Sequence, residues 1–300
     1  MKEEGFLLRS RLYLAATALL FSTGGAAIKA AHLTGWQVAG FRSGVAALLL
    51  IALLPEARRG WSWRAVPVAA AYAATLVLFV LANRLTTSAN TIFLQSTAPL
   101  YVLLLAPLLL REPVRVQDVV YAAIVAAGLS LFFIGSEPAA PTAPDPHRGN
   151  LLALASGLTW AFTIIGLRWL GRAGTAGAPL VPIALGNLMA FIASLPMALP
   201  LAAFTRSDAA VIVYLGAVQI GLAYILLTRA IRHVPAFEAS AILLLEPVMN
   251  PVWTWLVHRE KPGAWALAGG AIIILATLAN TWRGARQAAV FSQVFPAARR

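Results

Sequence analysis

Glu246 is the side chain in this sequence whose chemistry is hardest to accommodate where it stands. It lies near the middle of an apolar stretch, 236–257, long enough to cross a bilayer, and Pro247 follows it at once. An ionised side chain at that depth costs about 2.5 to 3.5 kcal/mol on insertion scales, so the carboxyl is expected to be protonated, paired or wet. Two roles are open to it: a site that loads a proton or binds a solute ammonium, or a hydrogen-bonded carboxyl that fixes helix packing. Asn250 stands one turn further on and shares its face. It makes either a polar rail with Glu246 or a hydrogen-bonded joint between helices.

The prolines act through the backbone they release. Pro99, Pro247 and Pro251 have no amide to give to the carbonyls of Gln95, Leu243 and Pro247. Those carbonyls either become available to a ligand or water, or are satisfied by side chains at simple kinks. Three further stretches carry polar or aromatic faces at helical spacing: Tyr72, Thr75, Phe79 and Asn83; Thr91 and Gln95, with Tyr101 nearby; and Ser156, Trp160 and Thr163. Converging on one cavity, they would offer hydroxyl, amide and aromatic surfaces to an uncharged or zwitterionic organic solute. Each face taken alone also fits plain helix packing. Gln219 and Tyr224 project differently on a regular α-helix, so no more than one of them is expected on such a cavity. Arg42 falls near a helix end and reads as a cation snorkelling to the interface. The candidate binding set is therefore Tyr72, Phe79, Asn83, Gln95, Tyr101, Trp160, Thr163, Tyr224, Glu246 and Asn250.

Other chemistries are disfavoured. The chain has no cysteine, which removes disulfides and thiolate catalysis, and its histidines, 32, 147, 233 and 258, show no ligand spacing. No metal or cofactor is expected. A nucleophile with its base cannot be assembled, so an enzyme is not expected. The net charge of +12 is not arranged as a basic stripe interleaved with aromatics, so nucleic acid is not an expected partner. No GxxxxGK[ST] loop exists to use ATP directly.

The elements that must hold these residues are membrane helices. With 60% hydrophobic and 11% charged residues and a mean hydropathy of +0.79, the composition excludes an ordinary soluble domain. Ten apolar segments are expected: 12–30, 38–54, 65–82, 87–110, 119–134, 151–167, 181–203, 211–228, 236–257 and 264–278. The class is all-α and polytopic, since strand-period alternation is absent. Arg9 and Arg11 ahead of the first segment could head a removable leader, but 12–29 has an internal copy at an offset of 139, which sets Phe21 opposite Trp160 and Lys29 opposite Arg168. At an offset of 148, Pro99 matches Pro247, Arg111-Glu112 matches Arg259-Glu260, and Ala82 and Arg84 match Ala230 and Arg232. Two five-helix repeats follow, and the odd number inverts the second against the first. Their expected limits are 1–136 and 150–286, joined by a Pro-rich extended linker, 137–149, and followed by a tail, 287–300, without a packing pattern.

Orientation follows the basic residues. With cytoplasmic termini, Lys2, Arg9, Arg11, Arg58, Arg59, Arg64, Arg111, Arg115, Arg168, Arg172, Arg229, Arg232, Arg283, Arg286, Arg299 and Arg300 lie inside. Lys29, Arg84, Arg148, Arg206, Arg259 and Lys261 then lie outside, with the linker. The asymmetry predicts both termini in the cytoplasm.

Two repeats that each close on a proline-containing helix and an Arg-Glu turn make the chain resemble the drug/metabolite transporter superfamily. Within it the chain is similar to the EamA-domain carriers, and most to bacterial YddG-type amino-acid exporters. The resemblance implies a basket-like bundle whose path is lined by helices 1, 3, 4, 6, 8 and 9, with 5 and 10 peripheral. It also implies a secondary transporter in the bacterial inner membrane, exporting amino acids, aromatic or otherwise neutral, by alternating access. Small-molecule substrate, protons and lipid are the implied partners. Export of a purine or cationic compound is the alternative cargo, and a channel or membrane scaffold the alternative class. Gly40 and Gly44 match a GxxxG pattern, leaving monomer and weak homodimer open.

Overall fold

A computed structural model describes the backbone of residues 2–110, 116–134, 138–172, 180–201, 203–230 and 233–294, and their side chains except at 2–6, 110, 172, 236, 237, 240 and 284–294. Arg111-Glu112 and Arg232, which entered the repeat comparison, and Arg115 and residues 295–300, which entered the charge and tail readings, lie outside the described residues. Among those described, nine helical segments are long and apolar enough to cross a membrane: Leu7–Ala30, Gly35–Leu53, Ala65–Leu85, Ser88–Leu109, Val116–Ile134, Pro146–Gly171, Leu180–Ala198, Arg206–Ala230 and Ala264–Arg283. The remaining expected span, ninth in chain order, consists of two shorter helices, Ala236–Leu243 and Leu245–His258. The molecule is an all-α, polytopic membrane protein built from two repeats.

Local chemistry sets the helix starts. Thr34 and Gln37 form a reciprocal capping box at the second span, and Thr205 and Asp208 do the same at the eighth. Thr87 accepts from the amide of Asn90 to open the fourth. Pro146 starts the sixth helix well ahead of the apolar run, since proline at a first turn forfeits no hydrogen bond. The described part of the linker, 138–149, is thus less extended than its prolines suggest: Ala140 and Ala143 pair their backbones at 3.0 and 2.9 Å, and the amide of Asp145 donates to Leu85 O. At the other extreme, the last helix runs on from Ala264 to Val294, through most of what was read as a patternless tail.

Proline breaks helices at matched places. The fourth span is interrupted between Gln95 and Ala98, and the ninth at Leu244. Both interruptions sit just upstream of Pro99 and Pro247, at positions related by the 148-residue offset. Side chains close the fourth-span break: Thr97 Oγ1 donates to Leu94 O and Ser96 Oγ to Ile92 O, each at 2.7 Å.

The packing obeys the repeat symmetry. The third span lies along the sixth as the first lies along the eighth, and the fourth meets the sixth as the ninth meets the first. The second and seventh spans pair with each other, as do the fifth and tenth. Gly40 and Gly44 are spent on that second–seventh contact, where a methyl group would come within 2.9 Å of Ser194 and of Phe191 respectively. The core divides into buried clusters, one around Phe93, Tyr121 and Phe132 and another around Leu50, Tyr72 and Ile220.

Candidate functional site

Between the halves lies a cavity of about 150 Å³ walled by Phe21, Arg42, Tyr72, Thr75, Leu76, Phe79, Gln95, Trp160, Gln219, Ile220, Tyr224 and Glu246. A second of about 400 Å³ adjoins it, sharing Gln95, Trp160 and Glu246, and is closed by Pro99, Leu243, Pro247 and Thr277 among others. Both straddle the pseudo-two-fold. Phe21 and Trp160, Tyr72 and Ile220, and Leu76 and Tyr224 are repeat partners that all line the first cavity. Ala98 and Glu246, like Pro99 and Pro247, are repeat partners that line the second.

Aromatic side chains form one wall. The Tyr72 ring lies 6.1 Å from that of Trp160 and 6.2 Å from that of Tyr224, and Phe21 meets Tyr224 edge-on at 5.4 Å. A polar chain ties the third, fourth and sixth spans behind it: Gln95 Nε2 donates to Ser156 Oγ at 2.7 Å, Ser156 Oγ to Thr75 O at 3.3 Å, and Thr75 Oγ1 to Thr159 Oγ1 at 2.9 Å. The three faces read from the sequence do converge, though not along their whole length.

Glu246 is half-buried and lines both cavities, and no described residue hydrogen-bonds or ion-pairs with its carboxyl. Tyr72, Phe79, Gln95, Trp160 and Tyr224 share its cavity. Asn83, Tyr101, Thr163 and Asn250 stand outside the walls of both. Asn83 is fully buried with neither amide atom partnered, and Thr163 Oγ1 returns to Thr159 O on its own helix. Asn250 accepts from Ser88 Oγ at 2.5 Å, which joins the ninth span to the fourth and leaves no rail with Glu246. Pro251 lies apart, in an apolar groove with Val248 and Trp255.

Two expectations need correction. Gln219 and Tyr224 both face the first cavity, because residues Tyr214–Leu222 wind as a π-helix whose wider turns bring the two side chains closer in angle than an α-helix would. Arg42 does not snorkel: it is 2% exposed and donates to Leu76 O at 3.2 Å from inside the bundle. Phe21 also went unselected, although its repeat relation to Trp160 was a usable signal.

The end of the bundle that carries the linker is sealed by polar contacts. Lys29 Nζ lies 2.9 Å from Glu260 Oε2, with both side chains 4% exposed, and it also donates to Thr86 O and to Thr142 O. The other oxygen of Glu260 accepts from the Ser88 amide at 2.7 Å. Arg84 donates to the carbonyls of Ile28, Ala31 and Leu33. In the opposite direction the second cavity is followed by another of about 460 Å³ that shares Pro99 and Ile164 and reaches Asp118, Arg168 and Asn280.

A two-fold bundle with a partly polar, aromatic-walled cavity at its symmetry axis, sealed at one end, is the architecture of a membrane carrier. The profile of the EamA-like transporter family matches residues 9–134 and 147–282, once for each repeat, and the chain belongs to that family. It is 27% identical over 281 residues to the pseudopaline exporter CntI of Pseudomonas aeruginosa (strain UCBPP-PA14), covering 91% of this chain and 96% of that protein. A crystal structure matches at a TM-score of 0.61 with 18% identity, over 93% of this chain and 98% of that one, which is likeness of fold alone. The protein is therefore a multi-pass membrane transporter that works on small molecules in a lipid environment.

Proposed function

We propose that this transporter exports neutral amino acids, aromatic ones foremost, by alternating access of its two halves. The observation that carries the reading is the cavity between the repeats, where a carboxyl without a described partner, Glu246, stands beside an aromatic wall of Phe21, Tyr72, Trp160 and Tyr224. The wall suits an apolar side chain, and the carboxyl suits an ammonium or a proton. Gln95 and Phe79 complete the proposed binding set, while Asn250 would act by holding the ninth span to the fourth.

The basic asymmetry supports cytoplasmic termini and an external linker, and likeness to a bacterial exporter supports a bacterial inner membrane. In that orientation the Lys29–Glu260 seal is external and the cavities lead inward, the facing in which an exporter loads. The repeats would run 1–136 and 150–286. Coupling to protons through Glu246 would supply the driving force.

Counterflow of labelled amino acids in proteoliposomes tests the reading. A saturable exchange of phenylalanine, leucine and tyrosine is expected, and unsaturable flux would favour a channel instead. A metabolite other than an amino acid is the second reading, supported by the relative named for pseudopaline. Exchange of purines or cationic compounds without amino acids would favour that second reading.

A further inference from the structure

We propose that Arg42 receives a carboxylate of the transported solute, so that the cavity selects molecules carrying both a carboxylate and an amine. The inference rests on the carrier reading above and assigns a residue that neither the repeat symmetry nor the polar faces pointed to. Arg42 is 2% exposed and lines the first cavity. Among the described residues only the Leu76 carbonyl, at 3.2 Å, engages the guanidinium, and Nε is buried without a described partner. It makes no ion pair with a described carboxylate.

A guanidinium does not escape burial by losing its proton, because it remains charged across the accessible pH range. A buried cation with one carbonyl contact leaves a strong, directional set of donors unmatched. An anion entering the cavity would complete it, and a planar carboxylate fits the fork of a single arginine.

The same cavity holds matching groups for an amine. Gln219 Nε2 is committed to Phe21 O at 3.3 Å, while its Oε1 is buried and unpartnered. Glu246 presents an unpartnered carboxyl to the same space. One unmatched donor and unmatched acceptors lining the same cavity as the rings of Tyr72 and Tyr224 are the complement of an amino carboxylate.

Isothermal titration of the full chain in lipid nanodiscs with three probes tests this: phenylalanine, phenethylamine, which lacks the carboxylate, and 3-phenylpropanoate, which lacks the amine. Arg42→Gln should weaken phenylalanine and phenylpropanoate by about tenfold or more, the loss of a charge-assisted hydrogen bond, and leave phenethylamine nearly unchanged. Retained phenethylamine binding shows that the variant is folded. Arg42→Lys keeps the charge without the fork and should fall between wild type and Gln. Unchanged carboxylate affinity in Arg42→Gln, with phenylalanine bound by the wild type, overturns the inference and leaves the amino-acid reading standing. If the wild type binds phenylpropanoate through Arg42 but not phenylalanine, the amino-acid reading falls and the assignment stands. A wild type that binds neither carboxylate overturns the assignment.

Discussion

At the scale of single residues, Glu246 separates two functions that its position allows. The cavity exposes it to Tyr72, Tyr224, Arg42 and Gln219 but ties it to none of them, so the carboxyl can load and release a proton or an amine without breaking a protein contact. Coupling also requires that proton and solute bias the same equilibrium between facings. Glu246→Gln keeps the size of the side chain and removes the ionisable proton. Solute exchange should survive in it while accumulation driven by a pH gradient is lost, measured in proteoliposomes at matched protein levels. Equal driven accumulation in wild type and variant would reduce the residue to packing. Trp160 and Tyr101 make a sharper pair than they did in the sequence. Trp160 walls both cavities and Tyr101 neither, so Trp160→Ala should lower affinity for aromatic and large aliphatic amino acids by about tenfold or more, as expected for a lost aromatic contact surface. Tyr101→Ala should leave that affinity nearly unchanged in the same counterflow assay.

At the scale of helices, the π-helical winding of Tyr214–Leu222 is the feature on which the cavity depends. In a continuous α-helix, Gln219 and Tyr224 would point about 140° apart, five steps of about 100° each. The wider turns bring both to one wall, next to the close crossing where Gly216 admits the second span: a methyl there would come within 2.6 Å of Arg42 O. Deleting Ala217 should restore an α register and swing Gln219 off the cavity. The expected outcome is a protein that still inserts and elutes as one species but exchanges no solute. A cysteine at 219, in a chain with no other, should correspondingly lose its reactivity toward a thiol reagent entering from the cavity. Normal exchange by the deletion variant would refute the assigned role of the π segment.

At the scale of the molecule, facing is governed by what holds each end shut. The Lys29–Glu260 pair is buried beside the linker and joins the first span to the end of the ninth, so the two halves cannot part there without separating it. Removing one member strands a buried charge, at a cost of about 3 to 5 kcal/mol, whereas removing both costs much less. Lys29→Met should therefore lower thermal stability in detergent strongly, and Lys29→Met with Glu260→Gln should recover most of the loss. Equal losses in the single and double variants would mean that the pair does not seal this end. Topology is tested with the same cysteine-free background. A cysteine at Thr142 should be labelled by an impermeant reagent applied outside, and labelling only from the cytoplasmic side would invert the proposed orientation.

Much of this was legible in the sequence, for reasons specific to a bilayer. A membrane span must satisfy its backbone internally and present about 20 apolar residues, so helices could be counted from composition and length. The repeat offsets then linked Pro99 to Pro247 and Phe21 to Trp160, and in the structure each pair lines one cavity. The sequence alone also marked Glu246, because an acid in hydrocarbon needs a reason. Other assignments depended on angle and depth, which helical periodicity does not carry. Asn250 shares a face with Glu246 yet is taken up by Ser88 from another span. Arg42 sits close enough to a helix end to reach the interface, but the neighbouring third span offers it the Leu76 carbonyl and turns it inward. Gln219 joins Tyr224 only because the backbone widens between Tyr214 and Leu222, a local winding set by packing against the second span rather than by the pattern of side chains.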